Sequence, residues 1–368
     1  MRRDGSFSNT APTSAARFLR DLKSFGFAGL ASDPLAGSGV GSAGVASHAL
    51  PFHPEFSALN HPLNLKHPWL VAVWPGMGHV AISAGYYLMA KLNMHLLAEF
   101  SPRELFDIEH VEVKAGLVHT AGLPRSRFFV WTDPAEKHDL VVFIGEAQPP
   151  RGKYSFCCQL IQYAQQLGVE RVFTFAAMAT QMHPEHEPRV FGAATDDSNL
   201  AELKRLELEI LEDGHIGGLN GLLLGAASDQ GVQGACLLGE MPHIFAQLAF
   251  PKASLAVLEA FTTLAGISMD LGELAEQARA VDEQLGKLLA RVQRAMSGEE
   301  SEESEEGGLE EPEDDQLSPQ DQQLIERLFE ESRHKRSKAY ELKRELDRLQ
   351  AFPEYEERFL DLFKKPEV

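Results

Sequence analysis

The chain has too few cysteines to be held together by disulfides. Its three, Cys157, Cys158 and Cys236, include an adjacent pair that makes a poor bridge. Cys157 and Cys158 fall in a stretch with helical spacing, where free thiols behave as small hydrophobes, and a reducing cytoplasm fits them best. No apolar run approaches the roughly 20 residues needed to cross a bilayer. The early basic residues Arg2, Arg3, Arg17, Arg20 and Lys23 lead into no apolar segment. That argues against a secretory signal and leaves a plain tail, with an organellar transit peptide as the other reading. Positive charge is scarce too: 34 Lys and Arg stand against 54 Asp and Glu, a formal charge of -20. Eleven of those acids lie within residues 298–316, so the remainder carries about -9. With no basic run to neutralise phosphates, nucleic acid is a poor partner. Signatures of covalent or nucleotide chemistry are also missing. There is no G-x-S-x-G elbow and no Walker phosphate loop, and the cysteines have no evident activating partner.

What is present reads as one large α/β domain with appendages. Residues 1–65 form a tail with a Gly/Ala/Ser-rich stretch, AGSGVGSAGVA, at 36–46 that offers nothing large enough for a core. Within it Phe18, Leu19, Leu22 and Phe25 mark at most a short amphipathic turn. Residues 66–266 form the body. WLVAVW at 69–74 is apolar without alternation, as a strand buried on both faces should be. Pro75, Gly76 and Gly78 break it, and 79–93 reads as a helix. Further strands are expected at 96–100, 111–118, 128–132, 140–144, 172–176, 190–194, 217–224 and 232–238. Helices are expected at 154–167, 200–211 and 254–264. This alternation predicts a mostly parallel sheet covered on both faces.

Beyond the body, Leu271, Leu274, Ala278, Val281, Leu285, Leu288 and Val292 keep a strict 3-4 spacing. Residues 267–297 are therefore a coiled-coil seam of about three heptads or an amphipathic helix lying on its own domain. Leu274, Val281, Leu285 and Leu288 are the candidate oligomerisation residues. Residues 298–317 are an acidic linker expected to stay disordered. In the module 318–368, Ser318, Pro319 and Asp321 make a helix start, with Ser as N-cap and Pro at the first position. Leu324, Leu328, Ala339, Leu342, Leu346 and Leu349 then form the stripe of one long helix, stopped by Pro353, before a short closing helix.

Several blocks of the body together resemble the PAC2 (proteasome-assembly-chaperone type 2) family. They are VWPGMGHVA at 73–81, DLVVFIGEAQPP at 139–150, GVERVFTF at 168–175, RVFGAAT at 189–195, IGGLNGLLL at 216–224 and GACLLGEMP at 234–242. The resemblance implies a three-layer sandwich like that of purine nucleoside phosphorylases, here with C-terminal helical extensions. It implies protein partners, no established catalysis and self-association, most plausibly as a trimer. Relatives that dock on proteasome rings end in a hydrophobic residue, a tyrosine and one more residue. This chain ends Lys365-Pro366-Glu367-Val368, so docking through the C-terminus is not expected.

The ligand-binding candidates are Gly76, Gly78, His79, Glu146 and Gln148. The first three sit between a buried strand and a helix, where backbone amides could hold an anion, or where glycines simply permit a tight turn. Glu146 and Gln148 follow a strand at its carboxyl end, where open α/β sheets bind ligands. Glu146 there is a general base or a polar cap. A phosphorylase-like small-molecule enzyme or sensor is the alternative to a scaffold, and it would also need an arginine on phosphate, from Arg103, Arg125, Arg151 or Arg189. His183 and His186 are three apart, but Pro184 and Pro188 make their segment a loop and no third ligand is identifiable, so no metal and no cofactor are expected.

Overall fold

A computed structural model describes residues 56–58, 64–100, 105–108, 111–114, 116–120, 122–297 and 317–364. They divide into a body, built from 53–287 together with 308–368, and a second unit of which 288–297 is the described part. In chain order the strands are β1 (Phe56–Ala58), β2 (Trp69–Val73), β3 (His95–Phe100), β4 (Val111–Lys114), β5 (Leu117–Thr120), β6 (Ser126–Trp131), β7 (Leu140–Gly145), β8 (Arg171–Thr180), β9 (Val190–Ala194), β10 (Glu209–Ile210) and β11 (Gln233–Pro242). The helices are α1 (Val80–Lys91), α2 (Lys153–Gln166), α3 (Asp197–Arg205), α4 (Gly218–Asp229), α5 (Pro251–Ala265), α6 (Gly272–Ser297), α7 (Pro319–His334), α8 (Ala339–Arg348) and α9 (Phe352–Asp361).

Nine strands form one sheet in the order β1-β3-β6-β7-β2-β8-β11-β9-β10. Its centre, β7-β2-β8-β11, is parallel. Toward the edges the pairings turn antiparallel, at β6 with β7, β3 with β6, β1 with β3 and β9 with β11. The sheet is thus mixed rather than mostly parallel. The connection from β6 to β7 is too short for a helical crossover, so those neighbours must run in opposite directions.

Alternation along β2 explains the layers. Leu70, Ala72 and Trp74 join Phe156 and Leu160 of α2 and Leu219 and Leu223 of α4 in one apolar cluster. Val71 and Val73 face the other way, and Val73 lies so close to α1 that a Cβ on Gly85 would meet its Cγ2 at 2.4 Å. On that same face Phe173 and Phe175 of β8 stack edge-on against Phe261 of α5. The body is therefore a three-layer α/β/α sandwich, as the sequence predicts. The finer likeness to nucleoside phosphorylases is not confirmed.

Beyond the direction of the strands, five expectations need correction. The helix expected at 200–211 is α3, which ends at Arg205, and β10 follows at Glu209–Ile210. Residues 217–224 are not a strand. Leu219, Leu223, Leu224, Ala226 and Ala227 are the buried side of α4, and Gly221 fits because its missing Cβ would lie 2.0 Å from the carbonyl oxygen of Ile216. Three glycines hid a helical spacing that becomes plain only when the run is followed to Asp229. The stretch 111–118 is not one strand but the antiparallel ribbon β4-β5, with Gly116 at φ 78 between its arms. Phe56–Ala58, inside the segment read as a tail, is the edge strand β1 and pairs with β3. Last, the long C-terminal helix is broken between α7 and α8, where Lys335 is extended and Arg336 reaches His95 and the carbonyl of Lys364. Residues 1–55 and 59–63 of the tail and 298–316 of the linker lie outside the described residues.

Ser318 caps α7, its hydroxyl accepting from the Asp321 amide at 3.1 Å, with Pro319 at the start of the helix. In α6, Leu274, Ala278 and Leu285 are buried within the single chain, Val281 is half-buried and Leu288 is exposed. Ion pairs Lys91–Glu273 (2.8 Å) and Lys252–Asp282 (3.2 Å) fasten the start of α6 to the body. Leu285→Ala is expected to lower stability by about 2–3 kcal/mol through a cavity, read as a fall in melting temperature.

Candidate functional site

The turn after β2 is made by backbone bonds that its own residues require. Gly78 takes φ 61 and His79 φ 52, both left-handed. The Gly78 amide donates to the carbonyl of Ala246 at 3.1 Å, and its carbonyl accepts from the Phe250 amide at 2.9 Å. A Cβ on Gly78 would meet Met241 Sδ at 2.6 Å. The turn therefore ties two loops together, and the amide that could have held an anion is already engaged. Gly76 is extended with open space where its Cβ would be. His79 is exposed and makes no capping bond.

Glu146 is a pairing residue. One carboxylate oxygen accepts from the Arg125 amide at 2.7 Å and the other from Nη1 of Arg127 at 2.5 Å. Arg127, on β6 and only 5% exposed, also donates to Glu99 at 3.3 Å. A carboxylate held this way is a poor general base. Gln148 bridges two elements at the carboxyl edge of the sheet: its amide nitrogen donates to the Pro75 carbonyl at 3.4 Å and its oxygen accepts from the Leu219 amide at 3.3 Å. It thereby supplies a cap to α4, joining the Gly76 turn to the helix that starts there. Glu146 stands with the arginines instead, so the five candidates split between two structural roles. None of the five lines either of the two best-formed cavities.

One of those cavities, about 390 Å³, opens at the carboxyl ends of β8 and β11 and is lined by Thr180, Gln181, Met182, His186, Glu187, Arg189 and Glu240. Its floor is a built ion pair. Glu240 on β11 is 2% exposed. It accepts from Arg189 Nε at 2.9 Å, Arg189 Nη2 at 2.7 Å and the Thr180 hydroxyl at 2.7 Å. The Arg189 hydrogen bonds, aided by Thr180, hold its carboxyl down at about 2. The sequence reading weighed Arg189 only as a phosphate clamp and passed over Glu240. The missed signal was a lone acid in an otherwise apolar strand, GACLLGEMP. The other cavity, about 410 Å³, lies between β9 and α4 around Thr195 and Ile216.

Other chemistry finds little footing. Burial pushes the Cys157 and Cys236 thiols up to about 12, far from the reactive thiolate. The His183 and His186 rings lie 5.7 Å apart, tilted at 54° to one another. Among the described residues no three His, Cys, Asp or Glu stand where they could share a metal ion. No described helix is long and apolar enough to cross a membrane.

The family model of the PAC2 family matches residues 70–289, more than half of the chain. The chain belongs to the PAC2 family. Among its relatives is an uncharacterized protein of Methanocaldococcus jannaschii, 26% identical over 231 residues, covering 61% of this chain and 84% of the relative. Among solved structures it is similar to Pyrococcus furiosus PbaB, an archaeal proteasome activator. The TM-score is 0.55 at 27% identity, over 64% of this chain and 98% of PbaB. A PAC2 family protein from Streptomyces avermitilis matches with TM-score 0.51 at 27% identity, over 60% of this chain and 95% of that one. In this PAC2 chain the match ends at residue 289, before α7 begins.

Proposed function

We propose that this PAC2 chain is a protein-binding assembly factor or scaffold, acting in the cytoplasm without catalysis of its own. The observation that carries the reading is the surface around the Gly78 turn. Met77, Ile244 and Leu248 are 42%, 52% and 44% exposed, on the two loops that Gly78 joins at the carboxyl edge of the sheet. Polar groups at this edge are paired with one another, as Gln148 is with Pro75 and Leu219 and as Arg189 is with Glu240. Apolar side chains set on a rigid base suit a protein surface better than a small polar substrate. The likeness to PbaB supports a proteasomal partner. The test is co-sedimentation with purified proteasome core particles. Binding by the wild type that is lost in Met77→Ser/Ile244→Ser/Leu248→Ser is expected. Failure of the wild type to bind would remove the proteasome from the reading. A rise in melting temperature with added phosphate would favour the phosphorylase-like alternative at the Gly76, Gly78 and His79 turn.

Self-association, as a trimer by family likeness, is part of this proposal. Of the four candidates, Leu274 and Leu285 are already buried within the chain, which leaves the exposed Leu288 and half-buried Val281 to meet another copy. Leu288→Asp is expected to lower the mass seen by light scattering, whereas Leu285→Ala lowers melting temperature at unchanged mass. If both variants keep the wild-type mass, the seam is not intersubunit.

A further inference from the structure

A helix that is apolar on every side must be covered on every side. α1 is such a helix: Ala84, Tyr86, Tyr87, Leu88, Met89 and Ala90 are all buried. The sheet and α5 account for its inner side. Its outer side is covered by the chain's own C-terminal helices. Tyr86 packs edge-on against Phe352 and Phe359 of α9 at 5.5 and 5.8 Å, and Tyr87 against Tyr340 of α8 at 4.5 Å. Phe363, just beyond α9, meets Phe129 of β6 at 6.0 Å, and its carbonyl accepts from the Leu96 amide at 2.8 Å. These helices lie outside the family match, and about a third of this chain has no counterpart in PbaB. They are an addition to the PAC2 body, joined to it through the acid-rich residues 298–316.

The seam between cap and body is not wholly apolar. Glu356 of α9 lies in it and accepts from the Tyr86 hydroxyl at 3.1 Å. Facing it are Glu146 after β7, Arg127 on β6 and Lys343 on α8. Lys343 is itself half-buried, 3.8 Å from the Phe352 ring centroid and 4.8 Å from that of Tyr86, and is paired with Asp347 at 2.6 Å. Beside Glu356 on α9, Glu357 pairs with Arg125 and Arg358 with Glu326 of α7, while Glu99 of β3 holds Arg127 from behind. We propose that α7, α8 and α9 form a detachable cap over α1, β3 and β6, and that the proton on Glu356 sets how firmly it is held.

The direction follows from the surroundings. Burial, and then the Glu146 carboxylate, push Glu356 up to about 7 in the closed form, against an ordinary value of 4.5 once the cap lifts and the side chain is hydrated. A group raised in the closed form adds its full stability below 4.5 and loses it as pH rises through 7. Between pH 6 and pH 8 the closing equilibrium should weaken about tenfold. Tyr86 is pushed well above its ordinary value by burial and by Glu356, so it stays a donor throughout.

The test is hydrogen–deuterium exchange of the full chain at pH 6 and pH 8, corrected for intrinsic exchange. The expected result is that protection of 352–361 falls about tenfold at pH 8 while β8 and β11 keep theirs, and that Glu356→Gln removes the difference. Protection of α9 that is the same at both pH values would overturn the proposal. So would a pH effect that persists in Glu356→Gln. So would parallel loss in α9, β8 and β11, because the cap would then not open apart from the body.

Discussion

Arg127→Met is expected to lower the free energy of unfolding by about 3–5 kcal/mol, among the largest single losses available outside the apolar core. The guanidinium is only 5% exposed and bridges Glu146 at 2.5 Å and Glu99 at 3.3 Å. Methionine fills much of the same volume, so packing alone does not account for a loss of that size. The cost arises because Glu146, a half-buried carboxylate, would keep only the Arg125 amide as a donor. Glu146→Gln added to Arg127→Met should restore a large part of the loss, since a neutral amide needs no counter-charge. Urea denaturation of the four proteins of this cycle is the measurement. A loss below about 1 kcal/mol for Arg127→Met would mean that solvent reaches the carboxylates and the pair is not structural. The same substitution removes one of the positive charges facing Glu356, so the remaining closed cap should be more pH-sensitive still.

Glu146 illustrates how a site can be found and misjudged from sequence. Its place just after a buried strand was legible, because WLVAVW and DLVVFIG read directly as central strands. Its partners were not, because Arg127 on β6 and Arg125 just before it reach Glu146 only through the antiparallel register of β6 with β7. Local signals fared well where the cause is local. Ser318, Pro319 and Asp321 start α7 as capping chemistry demands, and 190–194 is a strand to the residue. Where a tertiary contact decides, local pattern fails. No glycine or proline marks the break at Lys335; Arg336 turns toward His95 and the Lys364 carbonyl there. Likewise the heptad spacing of α6 is real, yet a period cannot say what lies against it, and Leu274 and Leu285 are already buried within the single chain. The small residues of α4 show the converse: Gly218 is needed for its left-handed φ of 68 and Gly221 by a close backbone contact, and their cost in helix propensity concealed the helix.

The acid limb of stability is expected to belong largely to Glu240. Its carboxyl is held at about 2 by Arg189 and Thr180, against an ordinary 4.5. A group lowered on folding contributes fully above its unfolded value and loses that contribution as pH falls through its folded value. Glu240 should therefore add about 3 kcal/mol at pH 7, fading between pH 4.5 and pH 2. Arg189→Ala removes the fork that donates from Nε and Nη2, leaving the Thr180 hydroxyl and the Arg189 backbone amide as donors. The variant should lose part of that contribution at pH 7, far less at pH 3, and show a flatter acid limb. Arg189→Lys should fall between, because an ammonium keeps the charge but not the paired geometry. Denaturant titrations across pH 2.5 to 7 give all three curves. Curves for wild type and Arg189→Ala that run parallel would mean that Glu240 is held down by its strand environment and not by Arg189.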